Sequence, residues 1–66
     1  MTLTEIKKVL YKEKPTAKKT AHKGTESHYV CQISNGSIIQ FFIPLNESQN
    51  FESEISAQLL IRWIRT

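Results

Sequence analysis

The 66-residue sequence contains no aspartate; its six acidic residues are all glutamate. That absence removes the usual Ser-His-Asp triad and the common magnesium-binding carboxylate clusters. A single cysteine, Cys31, leaves the chain without an internal disulfide framework. Two glycines, Gly24 and Gly36, are too few for a phosphate-cradling loop. No run approaches the ~18 consecutive apolar residues of a membrane span. Leu59–Ile64 is the densest apolar stretch, and Arg62 interrupts it. Met1–Leu10 lacks an apolar core segment, so no signal peptide is predicted and the cytoplasm is the expected compartment.

What remains is an ordinary globular composition, 39% hydrophobic and 23% charged, consistent with one small domain over residues 1–66. The net charge of +3 is unevenly placed. Residues 1–23 hold seven Lys against two Glu, a balance of +5, and residues 24–66 hold two Arg against four Glu, a balance of −2.

Thr2 and Glu5 form a capping-box pattern, with Met1 and Ile6 at the hydrophobic-staple positions. Leu3, Ile6, Val9 and Leu10 follow as an apolar stripe at helical spacing. Pro15 disfavours helical geometry at Lys14, so this helix is predicted to stop by about Glu13. Thr16–His22, Ser27–Ile33 and Ser37–Leu45 read as three strands, with turns at Lys23-Gly24 and Asn35-Gly36.

Two registers are open at the second turn. A two-residue loop pairs Ile33 with Ile38 and makes both faces apolar. A three-residue loop with a bulge at Gly36 pairs Tyr29 with Phe41 and Cys31 with Ile39. The second register is expected, because it separates an inner face of Tyr29, Cys31, Ile33, Ile39, Phe41 and Ile43 from an outer face of His28, Val30, Gln32, Ile38, Gln40 and Phe42. The first strand, with Lys18, Lys19 and Lys23, reads as a sheet edge. Asn46–Phe51 reads as a polar loop. A last helix is expected to begin between Asn50 and Ser56 and run to about Arg65, with Ile55, Leu59, Leu60, Ile61, Trp63 and Ile64 around much of its circumference. The predicted fold is α+β, α-β-β-β-α, a three-stranded antiparallel meander with two helices packed on one face.

Little in this pattern is catalytic. His28 and Cys31 have opposite parity on a strand and point to opposite faces, which argues against a shared metal site or a Cys–His dyad. His22 stands apart from both. Glu52 and Glu54 suit a helix N-terminus better than a carboxylate pair. No catalytic residue, metal ligand or cofactor is expected, and the chain is predicted not to be an enzyme.

A partner is expected instead. A chain this short, without a disulfide or a metal, is commonly completed by oligomerisation. Ile38, Phe42, Ile61, Trp63 and Ile64 are the candidate anchors of a homodimer or of an adaptor or inhibitor contact. The alternative is nucleic-acid binding through Lys7, Lys8, Lys12, Lys14, Lys18, Lys19 and Lys23, with Tyr11 placed to stack on a base. A membrane anchor at Leu59–Arg65 is disfavoured by its short length and narrow polar strip.

The stretch Lys12-Glu-Lys-Pro-Thr-Ala17 after a first helix, with the terminal Ala57-Gln-Leu-Leu-Ile-Arg-Trp-Ile64, resembles small bacterial proteins of prophages and other mobile elements. These carry no assigned activity. The resemblance implies a small accessory protein acting on a host or phage protein.

Overall fold

The computed structural model describes residues 2–65. The chain runs α1 (Leu3–Glu13), β1 (Thr16–Lys23), β2 (Glu26–Gln32), β3 (Ile38–Pro44), α2 (Leu45–Leu59) and β4 (Ile64–Arg65). The α+β arrangement of helix, three-stranded meander and helix is present, extended by a short fourth strand. The sheet order is β3-β2-β1-β4, with β4 parallel to β1 and the other pairs antiparallel.

Local chemistry sets the ends of α1. The Glu5 backbone N–H donates to the Thr2 hydroxyl oxygen at 3.2 Å, satisfying one free donor of the first turn, and the hydroxyl donates in turn to the Glu5 carboxylate. The staple partner Met1 lies outside the described residues. At the other end Lys14 adopts left-handed geometry (φ 47°) and its N–H closes on the Leu10 carbonyl. Helix continuation is denied by Pro15, and the chain turns directly into β1.

The β2–β3 hairpin has the three-residue loop. Tyr29 faces Phe41 and Cys31 faces Ile39. Gly36 takes φ 89°, a conformation L side chains rarely adopt, and its N–H donates to the Ile33 carbonyl. The Asn35 side chain accepts from the Ser37 N–H at 2.8 Å. Ser27, Tyr29, Cys31, Phe41 and Ile43 are buried on the inner face, with Ile39 half-buried beside them.

Both helices cover that inner face. Ile6 and Leu10 of α1, Phe51 and Ile55 of α2, Ala17 of β1 and Ile61 join the strand residues in one core. Tyr29 is the hub of its aromatic part. Phe41 stacks on Tyr29 at 5.4 Å, and Phe51 and Trp63 meet its ring edge-on at 5.7 and 5.0 Å.

The last third departs from expectation. Residues 46–51 are the first turns of α2, not a loop, and the helix ends at Leu59 rather than near Arg65. The buried positions of α2 are Ser48, Phe51, Glu52 and Ile55, a helical i, i+3, i+4, i+7 stripe whose polar members hide it from a hydrophobicity pattern. Leu60 reverses the chain in left-handed geometry (φ 55°). Beyond it the burial alternates: Ile61 in, Arg62 out, Trp63 partly in, Ile64 out. That is the period of an extended segment. An apolar run too broad for one helix face is therefore split between the two sides of a strap. Because β4 pairs with Lys18 and Lys19, β1 is not an outer strand at those residues.

Candidate interaction surface

With both helices on one face, the opposite face of the sheet is open. The pairings place four cross-strand rows on it. Thr16, Gln32 and Ile38 form the first; Ile64, Lys18, Val30 and Gln40 the second; Ala21, His28 and Phe42 the third; Lys23, Glu26 and Pro44 the fourth. Ile38 is 62% exposed, Ile64 50% and Phe42 44%. Phe42 is not loose on this surface. Its ring stacks on His28 at 4.6 Å and 17° between planes, and the imidazole is held between the Thr20 hydroxyl (2.9 Å) and the Gln40 amide oxygen (3.3 Å). A β-bulge between Lys19 and Ala21 brings Thr20 into that position. The face is thus a platform of apolar anchors separated by polar groups, with Lys18 as the charge among them and Lys23 and Glu26 at its far end.

Three of the five predicted anchors, Ile38, Phe42 and Ile64, stand on this face. The other two do not. Ile61 is buried in the core, and Trp63 lies against Tyr29 and Phe51 with its indole N–H donating to the Glu52 carbonyl at 3.3 Å. All three were expected around the circumference of one last helix; the extended strap sends Ile61 and Trp63 to the inner side and Ile64 to the outer. Leu60, 92% exposed at the reversal, is an apolar side chain on the surface that the sequence pattern did not single out.

The lysines are distributed over several surfaces. Lys7 of α1 pairs with Glu54 of α2 at 2.6 Å, which holds its ammonium above the usual lysine pKa. Lys19 points to the inner side and reaches Glu52 at 3.3 Å. Lys18 stands on the outer face, Lys23 at the β1–β2 turn, and Lys8, Lys12 and Lys14 are exposed along α1 and its end. Tyr11 is half-buried against the core.

The most connected polar group is one the sequence reading assigned to a helix start. Glu52 is buried, and its carboxylate accepts from the Tyr29 hydroxyl at 2.8 Å, from Lys19 at 3.3 Å and from Arg65 at 3.0 Å. Its signal in the sequence was only positional, one turn before Ile55 on the helix face that meets the sheet. Burial and the neighbouring carboxylate both push the Tyr29 phenol well above its ordinary pKa. Burial alone raises the Cys31 thiol to about 11, leaving it protonated and unreactive at neutral pH.

Among the described residues no group of three His, Cys or Glu side chains is placed to hold a metal ion, and no buried side-chain polar atom lacks a hydrogen-bond partner. No described helix is long and apolar enough to cross a membrane. An open cleft of about 140 Å³ lies between Lys19, His22 and Arg65. No family model, curated protein or solved structure matches the chain.

Proposed function

We propose that this chain is a non-enzymatic, cytoplasmic interaction module that docks on protein through the outer face of its sheet, as a homodimer or as an adaptor or inhibitor. The observation that carries the reading is the exposure of Ile38, Phe42 and Ile64 on one rigid face that neither helix covers. Large apolar side chains exposed on one sheet face are candidate anchors of an interface. The Phe42–His28 stack pre-orders the central anchor, which lowers the entropy lost when it is covered. A role as an accessory protein of a mobile element, acting on a host or phage protein, is compatible with such a surface. Nucleic-acid binding has less support, because Lys7 and Lys19 are engaged by Glu54 and Glu52 and the remaining lysines divide between α1 and its end and the outer face of the sheet.

Light scattering from micromolar to millimolar concentration, together with capture of partners on immobilised protein, tests the reading. Phe42→Glu should abolish both self-association and partner capture while leaving the circular dichroism spectrum unchanged. Retention of every contact by Phe42→Glu and Ile38→Glu would place the docking surface elsewhere.

A further inference from the structure

The sheet has one long edge, β3, that no other strand among the described residues pairs with. Strand β3 is terminal in the order β3-β2-β1-β4, and its ladder with β2 runs without a bulge from Ile38 to Pro44. The direction of its main-chain groups follows from two bonds. The Leu45 N–H donates to the Thr25 carbonyl at 2.7 Å, and the Ser37 carbonyl accepts from the Ile33 N–H at 3.0 Å. In an antiparallel pair the bonding direction alternates along the strand. Odd-numbered residues of this strand therefore bond toward β2, and Ile38, Gln40, Phe42 and Pro44 direct their main-chain groups to the free edge. Pro44 is tolerated because the N–H it lacks would have pointed away from the sheet. The edge thus presents three N–H donors, at 38, 40 and 42, and the carbonyls beside them.

Such edges are normally blunted by charge, by bulges or by brevity. From Ile38 to Ile43 this one has none of these protections, and only Pro44 at its end blunts it. Residues 27–46 contain no Lys, Arg, Asp or Glu, so β3, the turn before it and β2 beyond its first residue carry no formal charge; Glu26 stands at the far end of β2, opposite Pro44. The opposite side of the sheet differs: β1 carries Lys18, Lys19 and Lys23 and a bulge, and β4 is two residues long. The chain has a net charge of +3, so self-association is opposed by repulsion unless the contact itself is neutral. The uncharged β3 edge is where two copies meet at least electrostatic cost.

We infer that a second copy of this chain pairs antiparallel along β3, across a twofold axis at Gln40, joining two four-stranded sheets into one continuous sheet. In that register each copy's Gln40 faces the other's, and Ile38 of each copy faces Phe42 of the other. All three free N–H donors of each edge then find carbonyl partners. The arrangement is isologous, so it closes as a dimer and leaves no further β3 edge to propagate. Ile38 and Phe42, exposed in the single chain, become neighbours across the junction on the outer face, an aliphatic–aromatic cross-strand pair of the kind that stabilises sheets. The inference rests on the chain being an interaction module, and it specifies the partner and the strand.

Amide hydrogen exchange followed by NMR at several protein concentrations tests it directly. Exchange at Ile38, Gln40 and Phe42 should slow as concentration rises, in step with a dimer seen by light scattering. Gln40→Lys and Gln40→Glu should each weaken the dimer about tenfold or more by placing like charges across the axis. Mixing the two variants should restore a heterodimer. A dimer whose Ile38, Gln40 and Phe42 amides exchange alike at all concentrations, with shifts centred on Val30 and Ile64, would overturn the edge pairing and leave face docking standing. A protein that stays monomeric to millimolar concentration also overturns it; capture of a different protein that Phe42→Glu abolishes would then show that the interaction reading survives alone.

Discussion

The hydroxyl of Tyr29, on the central strand, donates to the carboxylate of Glu52, on the second helix, at 2.8 Å in the interior of the protein. Lys19 reaches the same carboxylate from β1 and Arg65 from β4, and the Glu52 main-chain carbonyl accepts from Trp63. One acidic residue thereby ties the helix to three strands and the strap. A buried carboxylate is costly to desolvate and is retained where charged and hydrogen-bonded partners surround it. Here two cations and a phenol do so.

Replacing Glu52 should therefore be among the most damaging single changes. Glu52→Ala strands the Tyr29 hydroxyl and leaves Lys19, almost fully enclosed, without its anion. A loss of about 3 kcal/mol is expected from urea denaturation, with Arg65 contributing little because it can return to water. Glu52→Gln keeps an acceptor for Tyr29 and should lose about half as much. Equal stability of both variants and the unmodified protein would show that the cluster contributes nothing net.

The alkaline limb of the stability profile should be steep. Cys31 has a folded-state pKa of about 11 against 9.0 for the free thiol. Below pH 9 both states hold the proton and the full stability is present. Between pH 9 and 11 the unfolded chain releases it while the folded chain does not, so stability falls as pH rises, by about 2 kcal/mol in all. Tyr29, also shifted upward, adds a second loss that begins near pH 10. Cys31→Ala should flatten the first part of this decline while lowering stability at neutral pH through the cavity it opens. Denaturant midpoints measured from pH 7 to 11 decide the matter, and an unchanged slope in Cys31→Ala would refute the assignment.

Two backbone positions should respond in opposite directions. Leu60 holds φ 55° at the end of α2 with its side chain in water, so Leu60→Gly relieves a left-handed leucine and should stabilise by up to about 1 kcal/mol. Gly36 holds φ 89° with open space around it, so Gly36→Ala meets no clash and should still cost about 1 kcal/mol or more from backbone strain alone. Thermal melts of the two variants measure both effects. A destabilised Leu60→Gly would mean that the leucine makes a contact outside the single chain.

The first two-thirds of this fold was readable from its residues because each feature there has a local cause. Thr2 and Glu5 cap α1, Pro15 ends it, and Asn35-Gly36 with the inside–outside alternation of Tyr29 to Ile43 selects one register. The last third has no such local cause. α2 starts at Pro44 with no side-chain cap, and it buries Ser48 and Glu52, residues that look like surface until the strands beneath them are known. The strap failed differently: Leu59–Ile64 has the composition of a helix and the alternation of a strand, and only Leu60 at a left-handed turn decides between them. The candidate surface was legible to the same extent. Ile38 and Phe42 followed from the register, whereas Ile61 and Trp63 were assigned to a helix that ends before them.

The pairing of Lys18 with Ile64 joins residues 46 positions apart, the longest-range junction in the sheet. Contacts that close so large a loop form late in folding, after the meander and α2 exist to receive them. Two ladder residues, the Glu52 contacts, the buried Ile61 and the packing of Trp63 on Tyr29 and Phe51 hold the strap, and they are lost together when it detaches. Trp63, the chain's sole tryptophan, sits on that strap. Its fluorescence therefore reports the docking of the final segment directly.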